Sequence, residues 1–386
     1  MSASMSTAMQ RTQEVADKLA FLRAHLAAAS AGAIRLRGVD WFAWVTAGGS
    51  SAVLQTTDSG VAEVLVTPEE ACILTDAIEA ERLRAEELPD GFTFHVEPWT
   101  EPELRERYVQ NAAAGRRIFS DRPGNGATAG ATAGNGMGEQ PLPNALRQRR
   151  MVLGPDERER YRLLGRETAE AMSETLRRAR PDWTEYQLAG AGAEALWRRG
   201  IHPALVLAAG ERRLPAWRHP TPTGEPLGAR AMLVFCARRH GLYANLTRFV
   251  SFAGLNSVPL DEQRALLEVE ATGLAAVQPG KSLSAVYHAF DAAYRHADRE
   301  GAIREHHQGG ITGYQAREIV AGPSTATQLE EGMAFAFNPS FAGVKIEDTF
   351  LLGPDGLENL TFDPGWPAAD VHGRKRPLWL EAQASS

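Results

Sequence analysis

The histidines give the first suggestion of chemistry. His306-His307-Gln308-Gly309-Gly310 sets two imidazoles just before a pair of glycines. Imidazole ordinarily titrates near neutrality, so it can carry a proton or bind a metal. Paired glycines let backbone approach closely. Gly313-Tyr314 and Arg317-Glu318 follow shortly after, and a third histidine lies in Arg218-His219-Pro220. A carboxylate comes late, in Gly343-Val344-Lys345-Ile346-Glu347-Asp348-Thr349, preceded by Gly332-Met333 and Asn338-Pro339. Imidazoles beside a carboxylate suit general acid–base work. Each also has a bland reading: His219 solvated beside Pro220, His307 hydrogen-bonded in the core, Glu347 a satisfied buried acid.

The neighbours of these residues divide in the same way. Cys236 lies two positions after Val234, so on a strand both face one side. It reads as a small buried hydrophobe, with a nucleophilic thiolate as the alternative. Arg317 and Glu318 read as a clamp for a substrate carboxylate or as a structural ion pair. Tyr314 is either a substrate hydrogen-bond donor or a core tyrosine.

Several elements must position these groups. Leu19, Leu22, Leu26 and Ala29 mark one face of a helix beginning near Thr12, after a polar tail. Trp41–Val45 is an apolar run, and strands are expected at Ala52–Gln55, Val61–Val66, Cys72–Leu74 and Phe92–Val96. Helices are expected at Ala77–Glu87 and Glu101–Ala114, which gives a mixed α/β domain over 14–121. The Gly/Ala/Thr/Asn-rich stretch Gly124–Gly138 has side chains too small to bury much area, so 122–150 reads as a flexible linker or loop. The third segment, 151–386, starts with helices at Glu157–Arg178 and Glu185–Arg199, the latter with Thr184 as N-cap. Strands follow at Ala204–Leu207, Met232–Cys236 and Leu242–Phe252. Helices at Leu260–Val277 and Leu283–Glu300 precede strands at Ala334–Asn338 and Val344–Leu352.

Composition narrows the function classes. The net charge is −7 over 386 residues. No basic cluster is interleaved with aromatics, which argues against nucleic acid as a partner. The basic run Arg147–Arg150 reads as a solvated face. No apolar stretch of about 18 residues predicts a membrane span. Two cysteines, Cys72 and Cys236, make no disulfide framework, so a reducing cytoplasm is expected.

The order and spacing of the four segments around His219, Met232–Arg248, His306–Glu318 and Gly332–Thr349, with the helix pair before them, resemble the pita-bread family of creatinase, Xaa-Pro aminopeptidase and methionine aminopeptidase. The resemblance implies an α/β (α+β) fold: a creatinase-type N-terminal mixed-sheet domain and a C-terminal pita-bread domain. It also implies a homodimer. In metal-dependent members two divalent ions are held by two Asp, a His and two Glu. The corresponding positions here are Val234, Asn245, His307 (or His306 after a one-residue shift), Asn338 and Glu347. Only the His and the last Glu keep the family's residue type. A dinuclear centre needs several anionic oxygens, so neither metal nor cofactor is expected. Tyr314 stands where aminopeptidases often carry a second His.

Creatinase works on this fold without metal, and the resemblance implies the same chemistry here. The expected activity is hydrolysis of a C–N bond in a small molecule, with His219 as acid/base, Glu347 orienting it and raising its pKa or else holding a cationic substrate group, and His307 as a second shuttle or oxyanion donor. Val234, Cys236, Asn245, His306, Tyr314, Arg317, Glu318 and Asn338 would contact substrate. The alternatives are a lyase on the same fold, a non-catalytic pseudo-peptidase that binds a partner, and a metallo-aminopeptidase or Xaa-Pro dipeptidase.

Overall fold

Val15, Leu19, Leu22 and Leu26 bury one stripe of the first helix, α1 (Ser2–Ala29), at the spacing of three and four that one helical face requires. The computed structural model describes residues 2–123 and 138–382. The helix begins at Ser2, well before Thr12, because its first turns contain neither Gly nor Pro to stop it. The chain divides into two units, Met1–Arg150 and Met151–Ser386.

In the first unit β1 (Ala33–Gly38) leads into a short helix, α2 (Val39–Val45), which absorbs the apolar run at Trp41. The remaining strands are β2 (Ser59–Val66), β3 (Ala71–Asp76), β4 (Thr93–Glu97), β5 (Ile118–Ser120) and β6 (Gln140–Pro141). They form one mixed sheet in the order β4-β3-β2-β1-β5-β6. Along β1, alternation puts Ile34 and Leu36 on one face and Arg35 and Arg37 on the other. Both arginines are buried and need partners there. Arg35 meets Glu63 and Glu106 at 2.6 Å each, and Arg37 meets Glu139 at 2.6 Å. Glu106 comes from α3 (Glu103–Ala113).

The structure departs from several expectations for this unit. Ala52–Gln55 is not a strand: Val53 and Leu54 are exposed, and the chain turns there, with the Thr57 N–H on the Leu54 carbonyl at 3.2 Å. The charged helix at 77–87 reduces to Ala80–Arg82 and one wide turn, Leu83–Glu87, cut off by Leu88-Pro89. The linker reading for 124–137 lies outside the described residues. The rest of that segment is ordered structure, with β6 beside β5 and a helix, α4 (Asn144–Met151). Arg150 is buried rather than solvated: it pairs with Asp40 and lies over the Trp41 ring at 4.3 Å.

The second unit consists of two helix-and-sheet halves. The first half opens with α5 (Pro155–Arg178) and α6 (Glu185–Trp197). Thr184 caps α6 as expected, accepting from the Gln187 N–H at 3.2 Å. Next come β7 (His202–Gly210), β8 (Arg230–Arg239) and β9 (Leu242–Ser251), paired antiparallel in sequence order. The second half has α7 (Leu260–Ala275) and α8 (Leu283–His296), packed so closely that a Cβ on Gly273 would lie 2.2 Å from the Phe290 ring. Its sheet contains β10 (Gly309–Thr312), β11 (Ile319–Val320), β12 (Ala334–Phe337), β15 (Asp348–Gly353) and β16 (Gly356–Asn359). A small ribbon, β13 (Ser340–Phe341) with β14 (Val344–Lys345), precedes β15. The expected single strand Val344–Leu352 is therefore broken at Ile346-Glu347.

That break joins the halves. Thr247 on β9 bridges to Glu347, and the Thr349 hydroxyl takes the Asn245 N–H at 2.7 Å and donates to the Asn245 carbonyl at 3.0 Å. Beneath it Arg248, Asp348, Arg376 and Glu270 form a buried quartet of balanced charge, linked at 2.7, 2.8 and 2.5 Å. Buried charges paired in this way are costly to separate, so the strand carrying Glu347 is held firmly against β9.

Candidate functional site

Each group reaches the centre for a local reason. His219 sits in the connection between β7 and β8, and the adjoining Pro220 fixes φ there. His306 and His307 precede β10, whose start lies against β12. Gly309 adopts φ +85°, and a Cβ there would fall 2.0 Å from the Ala336 carbonyl oxygen, so glycine is required. Lys345 ends β14 and Glu347 lies two residues on, in the break before β15, where their side chains meet.

The three imidazoles meet. One ligand-capable atom from each of His219, His306 and His307 lies within 4.8 Å of the others. The Nε2 atoms of His306 and His219 are 2.9 Å apart, and the His306 and His307 rings stack at 4.6 Å. The Gly309 N–H donates to His307 Nδ1 at 3.2 Å. His306 is buried, while His219 and His307 are exposed. Both histidines of the pair thus belong to the cluster, and His306 is the one that touches His219.

Glu347 is buried and saturated by cations. Arg317 reaches Oε1 at 2.8 Å, Lys345 reaches Oε2 at 3.0 Å, and the Thr247 hydroxyl donates to Oε2 at 2.9 Å. Burial pushes its pKa up, but Lys345 and Arg317 outweigh that and hold it down at about 2. The imidazoles shift the other way from the sequence expectation. Burial first, then Lys345, lowers His219, with Glu347 opposing. Burial with Lys345 takes His306 down to about 3, and burial with Arg317 takes His307 down to about 4. Glu347 pulls all three upward, but burial and the neighbouring cations outweigh it. At neutral pH the three rings are uncharged.

The family's two-ion centre does not fit these residues. Val234 has no donor atom and packs in the apolar core with Phe249 and Ile346. Asn245 and Asn338 are neutral; among the described residues Asn245 Nδ2 and Asn338 Oδ1 are buried without a partner. Both Glu347 oxygens already face cations. Divalent ions would have to displace Lys345 and Arg317 and would find one carboxylate where several are needed.

Other expected site residues lie elsewhere or behave differently. Tyr314 is a core tyrosine: its hydroxyl donates to Glu157 Oε1 at 2.7 Å, at the start of α5. Glu318 accepts the Tyr314 N–H at 3.0 Å, while Arg317 pairs with Glu347. Cys236 pairs across the strands with Asn245, and burial pushes its thiol up to about 12, which rules out a resting thiolate. Asn338 is tied by its backbone N–H to the Gln308 carbonyl at 3.1 Å, beside His307. The sequence reading passed over Lys345 and Thr247. The spacing Lys345-x-Glu347 was the available signal for Lys345, whereas Thr247 is one hundred residues from its partner and gave none.

Paired helix-and-sheet halves around a histidine-rich polar centre define a pita-bread protein of the peptidase type. The chain matches metallopeptidase family M24 over residues 159–354, just over half its length, and it belongs to that family of peptidase-like hydrolases. No curated protein matches it by sequence. Among solved structures it is similar to an Xaa-Pro dipeptidase from Bacillus anthracis, with TM-score 0.75 and 16% identity over 91% of this chain and 98% of that one. It is similar to a prolidase from Pyrococcus horikoshii, with TM-score 0.73 and 16% identity over 90% and 98%. It also resembles the N-terminal domain of a FACT complex subunit from Cicer arietinum (chickpea), with TM-score 0.67 and 13% identity over 92% and 96%. At these identities the likeness is one of fold. No helix of the described residues is long and apolar enough to cross a membrane.

Proposed function

We propose that this M24 chain hydrolyses a C–N bond of a small molecule by side-chain proton transfer, without the family's two-ion centre. The observation that carries the reading is the double pairing of Glu347 with Lys345 and Arg317, which puts protein cations against the carboxylate otherwise expected to hold metal. His219 is neutral and exposed, so it can act as a base. It takes a proton from water as the water oxygen bonds to the substrate carbon, and it then gives that proton to the nitrogen as the C–N bond breaks. His306, 2.9 Å away, can share that proton. Glu347, Lys345 and Arg317 sum to one positive charge, which favours a substrate with an anionic group near Arg317. The homodimer implied by the resemblance and the cytoplasmic setting expected from the two cysteines are part of the same reading; a monomer mass in light scattering at every concentration overturns the dimer.

The test is turnover of a panel of N-acyl and amidino compounds, with Xaa-Pro dipeptides for comparison, before and after prolonged EDTA treatment. Activity should survive EDTA, and His219→Ala should lose about 100- to 10,000-fold in rate. Restoration by manganese or cobalt would instead support a metallo-dipeptidase. The fold shared with a FACT subunit domain favours the second reading, a binding module, if the whole panel is inert.

A further inference from the structure

The three-imidazole cluster offers a site different from the family's two-ion centre. Of its members only one, His307 or after a one-residue shift His306, occupies a position corresponding to a family ligand. His219 and His306 present Nε2 atoms to each other at 2.9 Å. Two such nitrogens can approach only with a proton shared between them. A metal ion replaces that proton with a bond to each nitrogen. We propose that His219, His306 and His307 bind one borderline-soft divalent ion of the zinc class, and that this ion inhibits the enzyme by occupying the lone pair His219 needs.

The geometry is within reach. In a tetrahedral site with bonds of about 2.0 to 2.1 Å, ligand nitrogens stand roughly 3.3 Å apart. The close pair must open by a few tenths of an ångström, and the widest separation, at most 4.8 Å, must close by roughly 1.5 Å. His219 lies in the connection from β7 to β8 and His307 lies outside regular structure, both exposed, so they can move. His306 is buried and stays fixed. His307 gives up only the 3.2 Å contact from the Gly309 N–H. Three neutral nitrogens without a carboxylate select zinc, copper, nickel or cobalt over magnesium or calcium. Lys345 and Arg317 nearby weaken the hold on any cation, and this makes the site reversible, as an inhibitory site needs to be.

The inhibitory role rests on the proposed catalysis by His219; the binding does not. The full-length protein, stripped with EDTA and dialysed, is titrated with Co2+ followed by its visible d–d absorption and with Zn2+ by competition against a chromophoric chelator. One equivalent should bind per chain. His306→Ala should lower affinity at least tenfold, while His288→Ala, on the exposed side of α8, should not. If His306→Ala fails to fold, by circular dichroism, His219→Ala serves in its place. No stoichiometric metal in the wild type, or unchanged affinity in the His-cluster variant, overturns the site. With an active substrate in hand, one equivalent of Zn2+ should cut turnover at least tenfold and EDTA should restore it. Bound zinc that leaves turnover unchanged overturns the inhibitory role. Bound zinc that raises turnover overturns both that role and metal-independent catalysis but leaves the site standing.

Discussion

Replacing Lys345 with Met removes one of the two cations on Glu347 while keeping much of the buried stem. The carboxyl's fall from its usual 4.5 to about 2 corresponds to roughly 3 kcal/mol of folding stability. The sign follows from the direction. A carboxyl depressed in the folded state contributes fully above about pH 4.5, and the contribution fades as pH falls towards 2. Arg317 and Thr247 remain in the variant, so Lys345→Met should lose part of this, about 1 to 3 kcal/mol at neutral pH. The loss should shrink as pH falls through that window, because the wild type loses the same contribution. The assay is urea unfolding of both proteins at several pH values between 3 and 8, together with the acid-unfolding midpoint, which should move up. A loss that stays constant from pH 8 to pH 3 would mean that Lys345 acts through packing alone. His306 gives an independent readout. Lys345 lowers it, so its NMR titration should move up in the variant; no movement would refute the electrostatic account.

Three further outcomes follow from the same geometry. His219 is held below its ordinary 6.5, so if it acts as a base the rate should rise with pH below 6.5 and be level at neutrality; an inflection above 6.5 contradicts the assignment. Tyr314→Phe removes the bond to Glu157 and should cost about 0.5 to 1.5 kcal/mol in urea unfolding with kcat/KM unchanged, whereas a drop in kcat/KM at full stability would restore Tyr314 to the site. Cys236, buried with its thiol pushed up to about 12, should resist iodoacetamide in the native protein at pH 8 and react only on unfolding; rapid labelling by mass spectrometry would show an open pocket there.

The sequence by itself determined what depends on neighbours along the chain. The Thr184 cap, the helix pair before β7 and the long strands at Met232 and Leu242 all follow from local periodicity and capping. The grouping of His219, His306–His307 and Glu347 came instead through the family resemblance that the order of short segments carries. Fewer of the elements in the first 150 residues were legible, since β1 reads as alternating Ile-Arg-Leu-Arg and its arginines are satisfied only by Glu63, Glu106 and Glu139. Tertiary structure alone decided which charges meet. Lys345 and Arg317 converge on one carboxylate, His306 reaches across 87 residues to His219, and Tyr314 turns across 157 residues to Glu157 instead of the site. The physical reason is range. Spacing specifies which face a side chain occupies, but an ion pair near 3 Å and the pKa it sets depend on how separate elements pack. The expected rise of the imidazole pKa became a fall because burial, with the Lys345 and Arg317 charges added to it, outweighs Glu347.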